Sequence, residues 1–171
     1  MVFIFPSRSS LIIPSVLDIV LMVRFRLVRD EDGRAPVDGW PPPVDSEGLW
    51  ATPAGEGHFR IENTPWFAQN LATHDVVEAV EYEGSRWVMR RAQWAGHLTV
   101  RVTDDGSAAA LDAFADLGVR GESAAPAYPI VALDIPPGAD LRPIIDRLRA
   151  GRSAGSWDFE EACVCAAWRA L

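Results

Sequence analysis

The sequence predicts an α+β protein: a small curled antiparallel β-sheet or partial barrel, followed by a ferredoxin-like β-α-β-β-α-β unit. Three observations carry this. Residues 22–95 alternate apolar and polar positions over short segments separated by turn residues. From residue 96 onward, two segments with apolar residues at helical spacing interleave with strand-like ones. The chain of 171 residues, 49% hydrophobic and 23% charged, is globular in composition and leaves no length for two ordinary domains. Residues 22–171 are therefore read as one domain, with a β-rich part over 22–95 and a ferredoxin-like part over 96–166.

Residues 1–21 are set apart as an extension, with Met22 as the expected start of the native protein. They are apolar but broken by Pro6, Arg8, Pro14 and Asp18, so no uncharged run approaches the roughly 18–20 residues a spanning helix needs. They also lack the basic start, clean apolar centre and small-residue cleavage site of a signal peptide.

The domain then opens on Val23, Phe25 and Leu27 alternating with Arg24 and Arg26, a half-buried strand. Asp30–Gly33 ends it, and the four-proline segment 35–44 cannot join a hydrogen-bond ladder and reads as a surface loop. Leu49–Pro53 and His58–Glu62 flank a Gly-bounded turn and form a hairpin, with Phe59 and Ile61 inward. A second hairpin joins Val76–Tyr82 to Arg86–Arg91 around Glu83-Gly84-Ser85. His97–Val102 is the next strand. Ser107 is the expected cap of a helix carrying Leu111, Phe114 and Leu117 and stopping at Gly118. Val119–Ser123 and Tyr128–Ile135 read as strands. Asp140 caps a second helix with Leu141, Ile144, Ile145 and Leu148 on one face, ended by Gly151. Ser156–Val164 is the last strand, which completes the split βαβ order.

The net charge is −8, and all sixteen basic residues are arginine. An acidic balance argues against nucleic acid as a partner, because that binding neutralises phosphates; it permits a basic protein partner. Cys163 and Cys165 stand too close in sequence for an ordinary bridge, which suits a reducing cytoplasm. Neither they nor His58, His74 and His97 show metal-ligand spacing, so no metal or cofactor is expected. The G-x-S-x-G match at 151–155 sits after a helix and before a strand, with no histidine behind it, the reverse of a nucleophile elbow.

Candidate binding residues are weighed against structural roles. Arg86, Arg90, Arg91 and Arg101, with Trp87, could hold an anion by bidentate pairing and stacking; the competing reading pairs the arginines with Glu78, Glu81 and Glu83. His97 opens the ferredoxin-like half; it reads first as a satisfied or surface histidine, and otherwise as a ligand-binding residue or as part of a dispersed site with a carboxylate. Of the adjacent pair Trp66 and Phe67, Trp66 is expected outside, as an interface residue. Asp158 and Glu160 share a face of the last strand, as solvated edge charges or a contact for a basic partner.

Several stretches resemble the bacterial domain-of-unknown-function family 4265: Val23–Asp32 (VRFRLVRDED), Glu47–Thr52 (EGLWAT), Phe59–Phe67 (FRIENTPWF), Asp75–Ala79 (DVVEA), Gly96–Arg101 (GHLTVR), Val131–Ala139 (VALDIPPGA) and Trp157–Ala162 (WDFEEA). The likeness spans 22–162. The family pattern usually carries Gly before the DVV segment, where this chain has His74. None of these motifs is catalytic, and the family implies no activity or site residue. The expected function is a non-catalytic acidic protein-interaction module, of the kind an immunity or antitoxin protein provides. The alternatives are a small-ligand sensor of the ACT type and an enzyme with a dispersed site.

Overall fold

The computed structural model describes residues 20–27, 45–103, 107–124 and 127–171. The expected turn at 30–33 and proline loop at 35–44 lie outside them, as does nearly all of the 1–21 extension. The first five strands are β1 (Leu21–Arg26), β2 (Ser46–Gly55), β3 (His58–Ile61), β4 (Val76–Tyr82) and β5 (Ser85–Gln93). They form a closed barrel in sequential order. Each strand runs antiparallel to its neighbour, so the odd number brings first and last together parallel, with Arg24 opposite Trp87. Leu21, assigned from sequence to the extension, pairs with Ala51 and packs on the barrel core. The boundary expected at Met22 therefore cuts inside the first strand.

Inside the barrel lie Val23, Leu49, Ala51, Ile61, Val77 and Ala79, the inward set of the period-2 alternation. Phe59 packs against them, as expected.

The remaining elements are β6 (Leu98–Thr103), α1 (Ser107–Ala115), β7 (Arg120–Ser123), β8 (Ile130–Ile135), α2 (Leu141–Ser153), β9 (Asp158–Cys163) and a final turn of helix, α3 (Ala166–Arg169). The four strands form a second antiparallel sheet in the order β7-β8-β6-β9, the connectivity expected of a split βαβ unit. Helices cover one face: Leu98, Val100 and Val102 pack with Phe114, Ile144, Ile145, Leu148 and Trp168.

Two helix ends differ from expectation. Ser107 is the first helical residue and not the cap that precedes it. Gly151 does not end α2; the helix runs on to Ser153, and the reversal is made at Gly155, with φ +71°. Gly151 is instead a notch. A Cβ there would lie 2.0 Å from the Trp157 ring, which packs against Phe114 and donates Nε1–H to the Leu148 carbonyl. Asp140 caps α2 as expected, accepting from the Arg142 amide.

The other face of this sheet carries His97, Thr99 and Arg101 on β6 and its lead-in, Asp134 on β8, Glu122 on β7 and Glu160 on β9, with the buried Ile130 and Ala132 of β8 among them. The barrel's β3–β4 loop, residues 62–75, lies across it and joins the two halves.

Candidate functional site

The loop 62–75 is held by a carboxylate buried in the seam. Glu47 of β2 is 2% exposed. It accepts the consecutive amides of Trp66 (2.6 Å), Phe67 (3.0 Å) and Ala68 (2.7 Å). Three successive N–H groups converging on one anion form a nest, here filled by the protein's own side chain. Burial pushes the Glu47 carboxyl above its ordinary value, while the three amides and the Arg101 charge pull it down.

Arg101, expected among ligand-binding arginines, is 1% exposed. Its guanidinium donates to the Ala68 carbonyl at 2.5 Å and to Glu160 at 3.2 Å; Glu160 stands directly opposite it in the ladder. Thus Arg101 is a seam residue and cannot meet a ligand from solvent. Burial lowers its pKa, opposed by Glu160 and Glu47. Glu160 also accepts from Gln69 at 2.5 Å, with its side chain 40% exposed.

Trp66, expected outside, is 4% exposed, and Phe67 is buried too. An extended segment turns adjacent side chains to opposite sides, but this one lies between two sheets and both sides are covered. Trp66 Nε1–H reaches the Glu122 carbonyl at 3.2 Å, and Phe67 meets Tyr128 edge-on at 5.4 Å. The Glu122 carboxylate accepts the Thr64 amide; burial raises its pKa against that bond, and Glu47 and Asp134 push the same way as burial.

A second anchor is Asp75, at the loop's exit. Fully buried, it accepts the amides of Ala72 (3.0 Å) and Ala95 (2.8 Å), and Arg91 Nη1 lies 3.3 Å from it. The same nitrogen is 3.3 Å from Cys163 Sγ. Burial raises the pKa of both Asp75 and Cys163. Cys163 and Cys165 are both free thiols.

His97 lies beside Asp134. Its Nδ1 is 2.7 Å from Asp134 Oδ1, and the two side chains are 13% and 14% exposed. The His74 ring stands edge-on to it, 4.9 Å between centres. His74 has φ +66°, the left-handed conformation that explains why a glycine suits this position. Among the described residues, no group of three or more His, Cys, Asp or Glu could hold a metal ion.

The remaining candidates lie outside the seam. Arg90 pairs with Glu78 at 2.5 Å on the surface, and Arg86 stands opposite Glu81. Asp158 is bound by Arg152 at 2.5 Å. Trp87 faces outward from the barrel, and the Arg26 guanidinium stacks over it at 5.0 Å.

Around Trp87 the β4–β5 hairpin presents an unusual surface. Val77 and Ala79 point into the barrel, so Val80 and Tyr82 point out, with Val80 opposite Trp87. Val80 is 46%, Tyr82 61% and Met89 62% exposed. Together with Arg26 and Trp87 they line a groove of about 440 Å³, with Glu81 on its wall. None of Val80, Tyr82, Met89 or Arg26 was picked out from sequence. Their signal is the apolar residues on both parities of VVEAVEY, which a strand with one watered face does not need.

Barrel, seam and four-stranded layer define an α+β protein whose two sheets share a junction of buried apolar residues and charged hydrogen-bonded groups. The chain belongs to the family described as Domain of unknown function (DUF4265), whose model matches residues 47–159. That span runs from the nest carboxylate to β9, within the 22–162 of the resemblance. No curated protein matches the chain. Among solved structures it is similar to a hypothetical protein from Neisseria gonorrhoeae, at 18% identity and a TM-score of 0.66, covering 84% of this chain and 95% of that one. At that identity the likeness is one of fold. Among the described residues no helix is long and apolar enough to cross a membrane.

Proposed function

We propose that this protein is a non-catalytic binding module of the cytoplasm, and that the β4–β5 face of its barrel is the contact surface. One observation carries the reading: Val80, Tyr82 and Met89 stand in solvent around a groove floored by Trp87. Contiguous exposed apolar surface of this kind marks interaction sites, and aromatic anchors in a pocket concentrate binding energy. The net charge of the molecule favours a basic partner. Glu81 lines the groove, and the chain carries a net charge of −8. An apolar side chain flanked by arginines or lysines would fill the groove and meet Glu81, with the net charge of the molecule steering the encounter.

The test compares the full-length protein with its Met89→Asp variant, each recovered from the native host under gentle conditions. Met89 is an outward surface position, so the variant keeps the barrel core. The expected result is a stoichiometric basic protein that is released by moderate salt and is missing from the Met89→Asp sample. A partner held equally by both forms would overturn the assignment of this face, and recovery of the protein alone would overturn the binding-module reading.

A further inference from the structure

We propose that His74 and His97 form a site for one divalent transition-metal ion of the zinc, nickel or copper type, with Asp134 orienting His97. This goes beyond the interaction reading and uses a different part of the molecule.

The geometry is that of a prepared imidazole pair. Asp134 Oδ1 holds His97 Nδ1 at 2.7 Å, which fixes the ring and its tautomer and leaves Nε2 as the ligating nitrogen. A carboxylate on the far nitrogen is the usual outer support of a metal-bound histidine. The two rings are 4.9 Å apart and nearly perpendicular, at 84°. An ion about 2.1 Å from one nitrogen of each ring lies about 3.2 Å from each ring centre, which separates the centres by about 5 Å at a near-tetrahedral angle. The separation of the ring centres is therefore the one that two ligands of one ion adopt.

The backbone beneath both rings is tied together. Asp75, next to His74, accepts the amide of Ala95, two residues before His97. Trp94 Nε1–H donates to the His97 carbonyl at 2.8 Å, and the His74 amide donates to the Ile61 carbonyl at 2.8 Å. His74 takes its left-handed backbone within this clamp, and such conformations in non-glycine residues gather at functional sites. Two imidazoles select borderline transition metals over calcium or magnesium, which take oxygen ligands. With two protein ligands the ion keeps its other positions for water or an incoming ligand.

Titration of the full-length protein with zinc, nickel or copper salts, followed by calorimetry at pH 7.5, tests the site. One equivalent should bind. His74→Gly, which suits the positive φ, should weaken binding at least tenfold, as should His97→Ala. Asp134→Asn should cost roughly ten- to a hundred-fold. A Cys163→Ser/Cys165→Ser form should bind like the parent. The proposal is overturned if no ion binds at millimolar concentration, if His74→Gly binds as the parent does, or if the cysteine variant loses the ion instead. In the first two cases the rings are a packing contact, and in the third the ion sits on the thiols.

Discussion

Removing the Glu47 carboxylate should detach the loop that joins the two sheets. In Glu47→Ala the amides of Trp66, Phe67 and Ala68 lose their acceptor, and Arg101 loses one of its two compensating anions. Each buried donor left unpaired costs about 1–3 kcal/mol, and a buried charge stripped of its partner about 3–5 kcal/mol. These do not add, because the loop can relax and the desolvation cost of the carboxylate itself disappears. A net loss of about 3–5 kcal/mol is expected, a large share of the stability of an ordinary domain. Glu47→Gln is the sharper test. It keeps the volume and one acceptor oxygen, but turns an NH2 group toward at least one amide N–H, for a loss of about 2 kcal/mol. Urea unfolding reads the stability, and hydrogen exchange reads amides 66–68 one by one. These three amides should lose protection while those of the barrel interior, such as Val77, lose only what global stability loses. Equal stability of Glu47→Gln and parent, or unchanged exchange at 66–68, would refute the nest as the hold on this loop.

Two further outcomes follow from packing and charge. Gly151→Ala would stabilise an exposed helix interior by about 1 kcal/mol, but here the new methyl meets Trp157 at 2.0–2.4 Å; the sign should invert to a net loss of about 2 kcal/mol, seen as a lower urea midpoint. Burial raises the folded-state pKa of Glu47, Asp75 and Glu122, so the native state binds their protons more tightly than the unfolded chain. Their contribution is fully present below the ordinary values of 4.5 and 3.8 and is lost as pH rises through the raised ones. The urea midpoint should therefore fall as pH rises above those ordinary values, and Glu122→Gln should flatten that slope; a midpoint rising with pH would contradict the assignment.

Most of the elements were legible because their signals are local. The alternation of Val23, Phe25 and Leu27, the Glu83-Gly84 turn, and the Leu141, Ile144, Ile145 and Leu148 stripe each report a period that one segment carries by itself. Gly151 misled for the same reason. A glycine near the end of a helical pattern reads as a stop, and the Trp157 ring that makes it a notch arrives from β9. Asp134 carried a faint signal, a lone charge in the apolar run IVALDI, which requires a partner somewhere; nothing local says that the partner is His97. Arg101 among β-branched residues carried the same signal and was read as a surface cation.

By itself the sequence determined the β-rich and mixed parts of the chain, the order of strands and helices up to β9, and the inward set of strands such as β1, β3 and β6, because short-range periodicity and turn chemistry decide these; the closing helix α3 carried no such signal. It also limited the chemistry, since no spacing of His, Cys and carboxylates fits a standard catalytic or metal motif. Only the tertiary structure decided that the five strands close, that loop 62–75 is buried on both sides, and that Glu47, Arg101 and Glu160 hold it. Those outcomes depend on contacts between residues far apart in the chain, such as Glu47 with Trp66 and Arg101 with Ala68. Burial converts a charged residue from a surface group into one that must find partners, and which residues are buried is fixed only when the two sheets close on the loop between them.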